Sequence, residues 1–179
     1  MRNVVVLFGK ISSGKSTCAL YVQKKYYYTV FEIGDNVRDS YRGDQNYTGT
    51  LADYANLHYS QGRLTYFVSN VISQSRNYQG NLLFSGVRTV EELSRLKDEF
   101  PNLILIRIEC TTDNRSQRYY KEKSDNISFE KRDKVEDNWM KNEWDSIQFD
   151  YTIPNNDSLD DFYKRIDSVF SEIAKGDLI

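Results

Sequence analysis

Residues 9–16 read Gly9-Lys10-Ile11-Ser12-Ser13-Gly14-Lys15-Ser16: a glycine, four residues, then glycine, lysine and a hydroxyl residue. Each fixed position suits a phosphorylated ligand. The glycines let backbone N–H groups curl around phosphate oxygens with no Cβ in the way. The helix expected next points its N-terminus at the same anion. Lys15 supplies a mobile charge for β- and γ-phosphates, and Ser16 offers a hydroxyl to Mg2+. Gly9, Ser12, Ser13, Gly14, Lys15, Ser16 and Thr17 are therefore the expected holding set for ATP and Mg2+. No Asn-Lys-x-Asp guanine signature occurs in the sequence, which favours ATP over GTP.

Fewer residues elsewhere carry chemistry. Arg115 and Arg118 stand three apart, so a helix presents both on one face. His58, the sole histidine, has neither metal-ligand spacing nor a nucleophile pattern beside it and is expected to pack or to lie at the surface. Trp139 and Trp144, set among Lys and Glu, are expected to pack in the core. Cys18 and Cys110 are far apart and are expected as reduced thiols of a cytoplasmic protein.

The elements that must hold these residues follow from periodicity. Val4–Phe8 is a continuous apolar, β-branched run, as in a parallel strand buried on both faces. Residues 9–16 form a loop and 17–24 a helix. Thr29–Ile33 is a second strand, ending at Gly34-Asp35. Residues 50–77 are helical with a break near Gly62, and Asn81–Gly86 supplies a third strand and turn. Val90–Glu99 has helical periodicity with acids in its first turn. Leu103–Ile108 is the clearest strand. Thr112 to about Lys123 and Ser128–Trp144 are charged helices, and Tyr151–Ile153 is a last strand. Leu159–Ile173 is an amphipathic helix with Leu159, Phe162, Ile166, Val169, Phe170 and Ile173 on one face. Strands alternating with helices predict an α/β fold of three layers, α/β/α, around a parallel sheet of about five strands.

Composition bounds the function classes. A chain of 179 residues suits one domain and needs no disulfide or metal staple. With 39% hydrophobic and 14% aromatic residues it holds too much core material for a disordered chain. Lys and Arg number 24 against 26 Asp and Glu, which lacks the basic surplus of a dedicated nucleic-acid surface. The opening apolar run is too short for a secretory leader, and no stretch approaches the ~20 apolar residues of a membrane span.

The loop, together with Glu32-Ile33-Gly34-Asp35-Asn36-Val37-Arg38 and Leu83-Phe84-Ser85-Gly86-Val87-Arg88, resembles the nucleoside monophosphate kinase superfamily. Within it the pattern is most similar to dephospho-CoA kinase and an archaeal group of related P-loop kinases. Asn114–Arg118, Phe129–Asp133 and Asp150–Asn155 match further pieces, in the same order along almost the whole chain. The resemblance implies a P-loop NTPase of the nucleotide-kinase type. It implies one domain over 1–179, with a core of about 1–35, 81–112 and 145–179, acceptor-binding helices at 36–80 and a lid at 113–135. The implied activity is transfer of the ATP γ-phosphoryl to a nucleotide or nucleotide-like small molecule, with a dephospho-CoA-like or modified nucleotide as an alternative acceptor. A regulatory nucleotide-hydrolysing switch is the alternative from another class. Carried over by residue, Asp35 resembles the carboxylate near Mg2+ and the acceptor, and Arg38, Arg63 and Arg88 resemble acceptor-phosphate contacts. Arg115 and Arg118 resemble lid arginines that stabilise the transferring charge, and Asn155 a contact to the adenine. The sequence departs from these relatives at Ser85-Gly86, where they often carry Asp-Gly, and its lid lacks the cysteine cluster of a zinc-bearing one.

Overall fold

The computed structural model describes residues 2–122, 128–140 and 143–176. The apolar run near the start forms strand β1, Val4–Phe8, buried at every position. It is the middle strand of a five-stranded sheet, and all the strand pairings are parallel. The others are β2 (Thr29–Glu32), β3 (Leu82–Ser85), β4 (Leu103–Glu109) and β5 (Tyr151–Pro154), ordered β2-β3-β1-β4-β5. Val4 pairs in register with Leu82 on one side and Leu103 on the other. The amino ends of β1, β3 and β4 therefore lie level, while at the carboxyl side β4 runs on to Glu109, two residues past the partner of Phe8.

Parallel neighbours require crossovers, and here they are helical. The helices are α1 (Lys15–Tyr26), α2 (Ile33–Gly43), α3 (Leu51–Ser60), α4 (Tyr66–Ser75), α5 (Val90–Glu99), α6 (Thr112–Glu122), α7 (Phe129–Trp139) and α8 (Leu159–Lys175). Strand residues alternate between the two faces of the sheet, and β1 divides the core accordingly. Val4, Val6 and Phe8 face a cluster with Val37, Tyr54, Phe67, Val71, Leu96 and Met140. Val5 and Leu7 face Cys18, Val22, Phe162, Ile166 and Phe170. The sheet is thus covered on both sides in three layers, as expected. No helix among the described residues is long and apolar enough to cross a membrane. Cys18 and Cys110 are free.

Several boundaries differ from the sequence expectation. The second strand stops at Glu32, opposite Ser85, because β3 ends there and offers no further ladder. Ile33 begins α2, which moves Asp35 from the end of a strand into the first turn of a helix. Helix α1 opens at Lys15, two residues earlier than periodicity predicts, so its first-turn amides adjoin the loop. The charged helix predicted over 128–144 ends at Trp139, and Trp144–Ser146 is a separate 3-10 turn. At Met140 the chain drops into the core. Leu159, assigned to the buried face of α8, is 53% exposed. The side chains of Trp139 and Trp144, and residues 123–127 of the predicted lid, lie outside the described residues.

Candidate active site

The loop between β1 and α1 is shaped by backbone that only glycine accepts easily. Gly9 has φ +152° and Gly14 φ +106°. A Cβ on Gly9 would meet Ser13 Oγ at 2.5 Å and the Ile108 carbonyl at 2.7 Å, and one on Gly14 would collide with Asn155 Nδ2. Helix α1 has Gly14 at its N-cap, no capping side chain and no acid in its first turn. Its end is open to an anion.

Lys15 folds back over this loop. Its Nζ donates to the Gly9 carbonyl and, at 3.0 Å, to the Lys10 carbonyl. Burial lowers its pKa, while Glu136 and Glu32 hold it up. The turn after β5 braces the loop from behind. Asn155, nearly buried, donates through Nδ2 to the Ser13 carbonyl at 2.7 Å, and its own N–H reaches the Glu109 carbonyl at 2.7 Å. Arg118 Nη2 in turn donates to the Asn155 carbonyl at 2.9 Å.

These groups border a cavity of about 720 Å3, lined by Ile11 to Thr17 with Arg38, Arg88, Arg118, Lys121, Arg132, Glu136, Asn155, Asp157, Leu159 and Phe162. Counting Lys15, six cationic side chains face Glu136 and Asp157. That excess suits a polyanion. A smaller cavity of about 80 Å3 adjoins it, lined by Gly9, Lys15, Glu32, Gly86, Val87, Arg88, Glu136 and Met140. Lys15, Arg88 and Glu136 line both, so the two spaces share a wall.

The predicted residues divide on this geometry. Gly9, Ser12, Ser13, Gly14, Lys15, Ser16, Thr17, Arg38, Arg88, Arg118 and Asn155 all line one or both cavities. Asp35 lines neither; its side chain is 65% exposed and ion-paired with Arg38. Arg63 is exposed in the turn after α3 and is also outside them. Arg115 is only 4% exposed and fully engaged. It bonds Asp133 at 2.5 and 3.1 Å and the Ile11 carbonyl at 3.4 Å, and its guanidinium lies 5.1 Å from the Phe129 ring centroid. It braces α6, α7 and the loop together. Ser85, at the end of β3, is fully buried, and its hydroxyl has no hydrogen-bond partner. His58 is buried among Tyr54, Tyr66 and Phe67, with its pKa lowered by burial and by Arg63.

Glu32, Lys121, Arg132 and Glu136 were not found from sequence. Glu32 left a signal: it ends a parallel strand, and ligands in such sheets sit at the carboxyl ends of the strands. Glu136 left none, being one of many charges on α7. Glu92 was also missed. Its buried carboxylate accepts the Arg88 N–H at 2.7 Å and the Tyr59 hydroxyl at 3.1 Å. Burial pushes its pKa up to about 7 against these bonds. Among the described residues no cluster of three or more His, Cys, Asp or Glu could hold a metal by itself. Ser16, exposed at the start of α1, is free to donate one oxygen to a cation that a phosphate brings with it.

Comparison with known proteins gives a consistent setting. A family model described as an AAA domain matches residues 5–140. A curated relative, the UPF0200/UPF0201 protein of Archaeoglobus fulgidus, is 28% identical over 183 residues, covering 96% of this chain and 56% of that one. The chain therefore spans little more than half the length of that relative. Among solved structures it is similar to shikimate kinase from Bacteroides thetaiotaomicron, with a TM-score of 0.68, 9% identity and coverage of 96% and 98% of the two chains. It is also similar to a gluconokinase from Sinorhizobium meliloti 1021, with a TM-score of 0.65, 11% identity and coverage of 98% and 97%. At these identities the likeness is one of fold.

Proposed function

The chain belongs to the AAA domain family and has the fold of the P-loop kinases, and from that premise we propose that it binds ATP with Mg2+ and transfers the γ-phosphoryl to a nucleotide or nucleotide-like acceptor. The observation that carries the reading is the pair of adjoining cavities. One is lined by the phosphate loop and rich in cations; the other carries Glu32 and Arg88; Lys15 borders both. Phosphoryl transfer asks a protein mainly for positioning and charge neutralisation, and this arrangement offers both.

In this reading the loop amides and the open end of α1 hold the β- and γ-phosphates. Lys15 leaves the Gly9 and Lys10 carbonyls to pair with them, and its lowered pKa rises again beside an anion. Ser16 would hold Mg2+ together with the phosphates, and the ion would supply further neutralisation. Arg118, with Arg132 and Lys121, meets the charge from the side of α6 and α7. Arg88 and Arg38 suit a phosphate on the acceptor. Glu32, on the wall of the smaller cavity, orients an acceptor hydroxyl in this reading, a role the resemblance gave to Asp35. Arg115 acts by holding α7 against the loop, and Asn155 by fixing its carbonyl side.

The test is ADP release from ATP–Mg2+ with each nucleoside monophosphate, each deoxynucleotide and dephospho-CoA. Release that depends on one acceptor, with a phosphorylated product, is expected. Release at the same rate with and without every acceptor would instead make the protein a nucleotide-hydrolysing switch.

A further inference from the structure

Two acidic side chains of α7 dock on the phosphate loop itself. The Ile11 N–H, one of the backbone donors bordering the larger cavity, donates to Glu136 Oε2 at 2.7 Å. One residue on, Asp137 lies 2.7 Å from Lys10 Nζ. The next peptide is held too, since the Ile11 carbonyl accepts from Arg115, which is paired to Asp133 of α7. Glu136 also borders both cavities, on the wall where they meet.

We propose that Glu136 is an internal anion that plugs the phosphate loop, and that nucleotide must displace it to bind. The inference rests on reading the loop as an ATP site. A backbone N–H beside an open helix end is a strong anion donor, and a charge-assisted bond to it is stronger than a neutral one. Among the described residues, Glu136 is the carboxylate bound to a loop amide. A phosphate oxygen cannot use the Ile11 N–H while the carboxylate holds it, and the two negative groups repel at contact distance. Binding therefore selects the fraction of molecules in which the Glu136 carboxylate has moved off the loop. The apparent dissociation constant is the intrinsic one divided by that fraction. Phe129, at the start of α7, and Met140, just past its end, are buried and anchor the helix, whose last turn carries the two acids. Lys10 and Asp137, each about one-third exposed, form the weaker outer latch.

The experiment compares wild type, Glu136→Gln and Asp137→Asn by calorimetric titration with ATP–Mg2+. Amide exchange at Ile11 is followed by NMR in the nucleotide-free proteins, and circular dichroism verifies the fold. Glu136→Gln should bind ATP about tenfold more tightly, and Asp137→Asn two- to threefold. Ile11 exchange, slow in the wild type, should be faster in both variants. A folded Glu136→Gln protein that binds ATP no more tightly than wild type overturns the plug. Were that variant unable to fold, unchanged affinity and exchange in Asp137→Asn would overturn it instead. Absence of ATP binding in all three proteins would overturn the ATP reading along with the plug, so the two failures are told apart.

Discussion

At the scale of single residues the site turns on which carboxylate and which cation face the cavities. Lys15→Ala removes the loop's own cation, which borders both cavities. Phosphoryl transfer should fall by at least a hundredfold with the circular dichroism spectrum unchanged, as expected when a phosphate cation is lost from a site that works by charge neutralisation. Glu32→Gln should lower kcat by roughly a hundredfold, the usual range for a lost acid–base or orienting group. Asp35→Asn should change it little, because that side chain is exposed and paired with Arg38. Steady-state kinetics of the two variants side by side decide the assignment; equal losses would restore Asp35 to the chemistry. Glu92 is a residue of another kind, bound to the Arg88 N–H and to Tyr59. Its folded pKa is raised from 4.5 to about 7, chiefly by burial. The folded state therefore holds this proton more tightly than the unfolded state. Its contribution to stability is full below about pH 4.5 and is lost as the pH rises to about 7, an effect on the order of 3 kcal/mol. Thermal unfolding of the wild type minus that of Glu92→Gln, followed from pH 5 to 8, should show that decline. A flat difference would mean that Glu92 does not titrate in this window.

At the scale of elements, the parts read most directly from sequence are those whose signal is local. The run Val4–Phe8 and the glycine-lysine spacing after it specify β1, the loop and α1 without help from the rest of the chain. The helix at Val90–Glu99 carries its own cap, Thr89, and begins and ends where its periodicity does. The parts that escaped depend on docking. Charge is spread around α7, whose residues run Phe-Glu-Lys-Arg-Asp-Lys-Val-Glu-Asp-Asn-Trp, and nothing local marks Glu136 or Arg132 from its neighbours. Which of them meets the loop is set by the angle at which Phe129 and Met140 anchor the helix and by the Arg115–Asp133 bond to α6. Likewise Glu32 borders the smaller cavity and Asp35 does not, because β2 ends with its neighbour β3, a pairing that no residue of β2 encodes alone. The α6–α7 joint has a consequence for stability. Asp133→Ala leaves Arg115 buried without its carboxylate, which costs about 3 kcal/mol by comparison with other broken buried pairs. The melting temperature should drop by roughly 6–12 °C for a chain of this size. The double variant Arg115→Met/Asp133→Leu, which leaves no unpaired charge, should recover most of that loss. A double variant as unstable as Asp133→Ala would mean that the Arg115 bond to Ile11, rather than the ion pair, holds the joint.

At the scale of the whole molecule, ligand binding and folding draw on the same contacts. The phosphate loop is tied to β4 and β5 through Asn155, to α6 through Arg115 and to α7 through Glu136. The two core clusters meet across β1, whose carboxyl end carries the loop. A ligand that holds the loop therefore holds the junction of both layers, and it is absent from the unfolded chain. Mass action then fixes the stabilisation: ATP–Mg2+ at a hundred times its dissociation constant adds about 2.7 kcal/mol. For a domain of 150–250 residues that corresponds to a rise in melting temperature of roughly 5–10 °C. The rise should grow with the logarithm of ATP concentration. It should vanish in Lys15→Ala, and at a fixed ATP concentration near the wild-type dissociation constant it should be larger in Glu136→Gln, whose loop is free of its internal anion. Differential scanning calorimetry over a hundredfold range of ATP measures all three. A melting temperature indifferent to ATP in the wild type, with a single cooperative transition, would mean that the cavity beneath the loop does not take the nucleotide. A shift equally large in Lys15→Ala would mean that ATP binds the folded chain elsewhere.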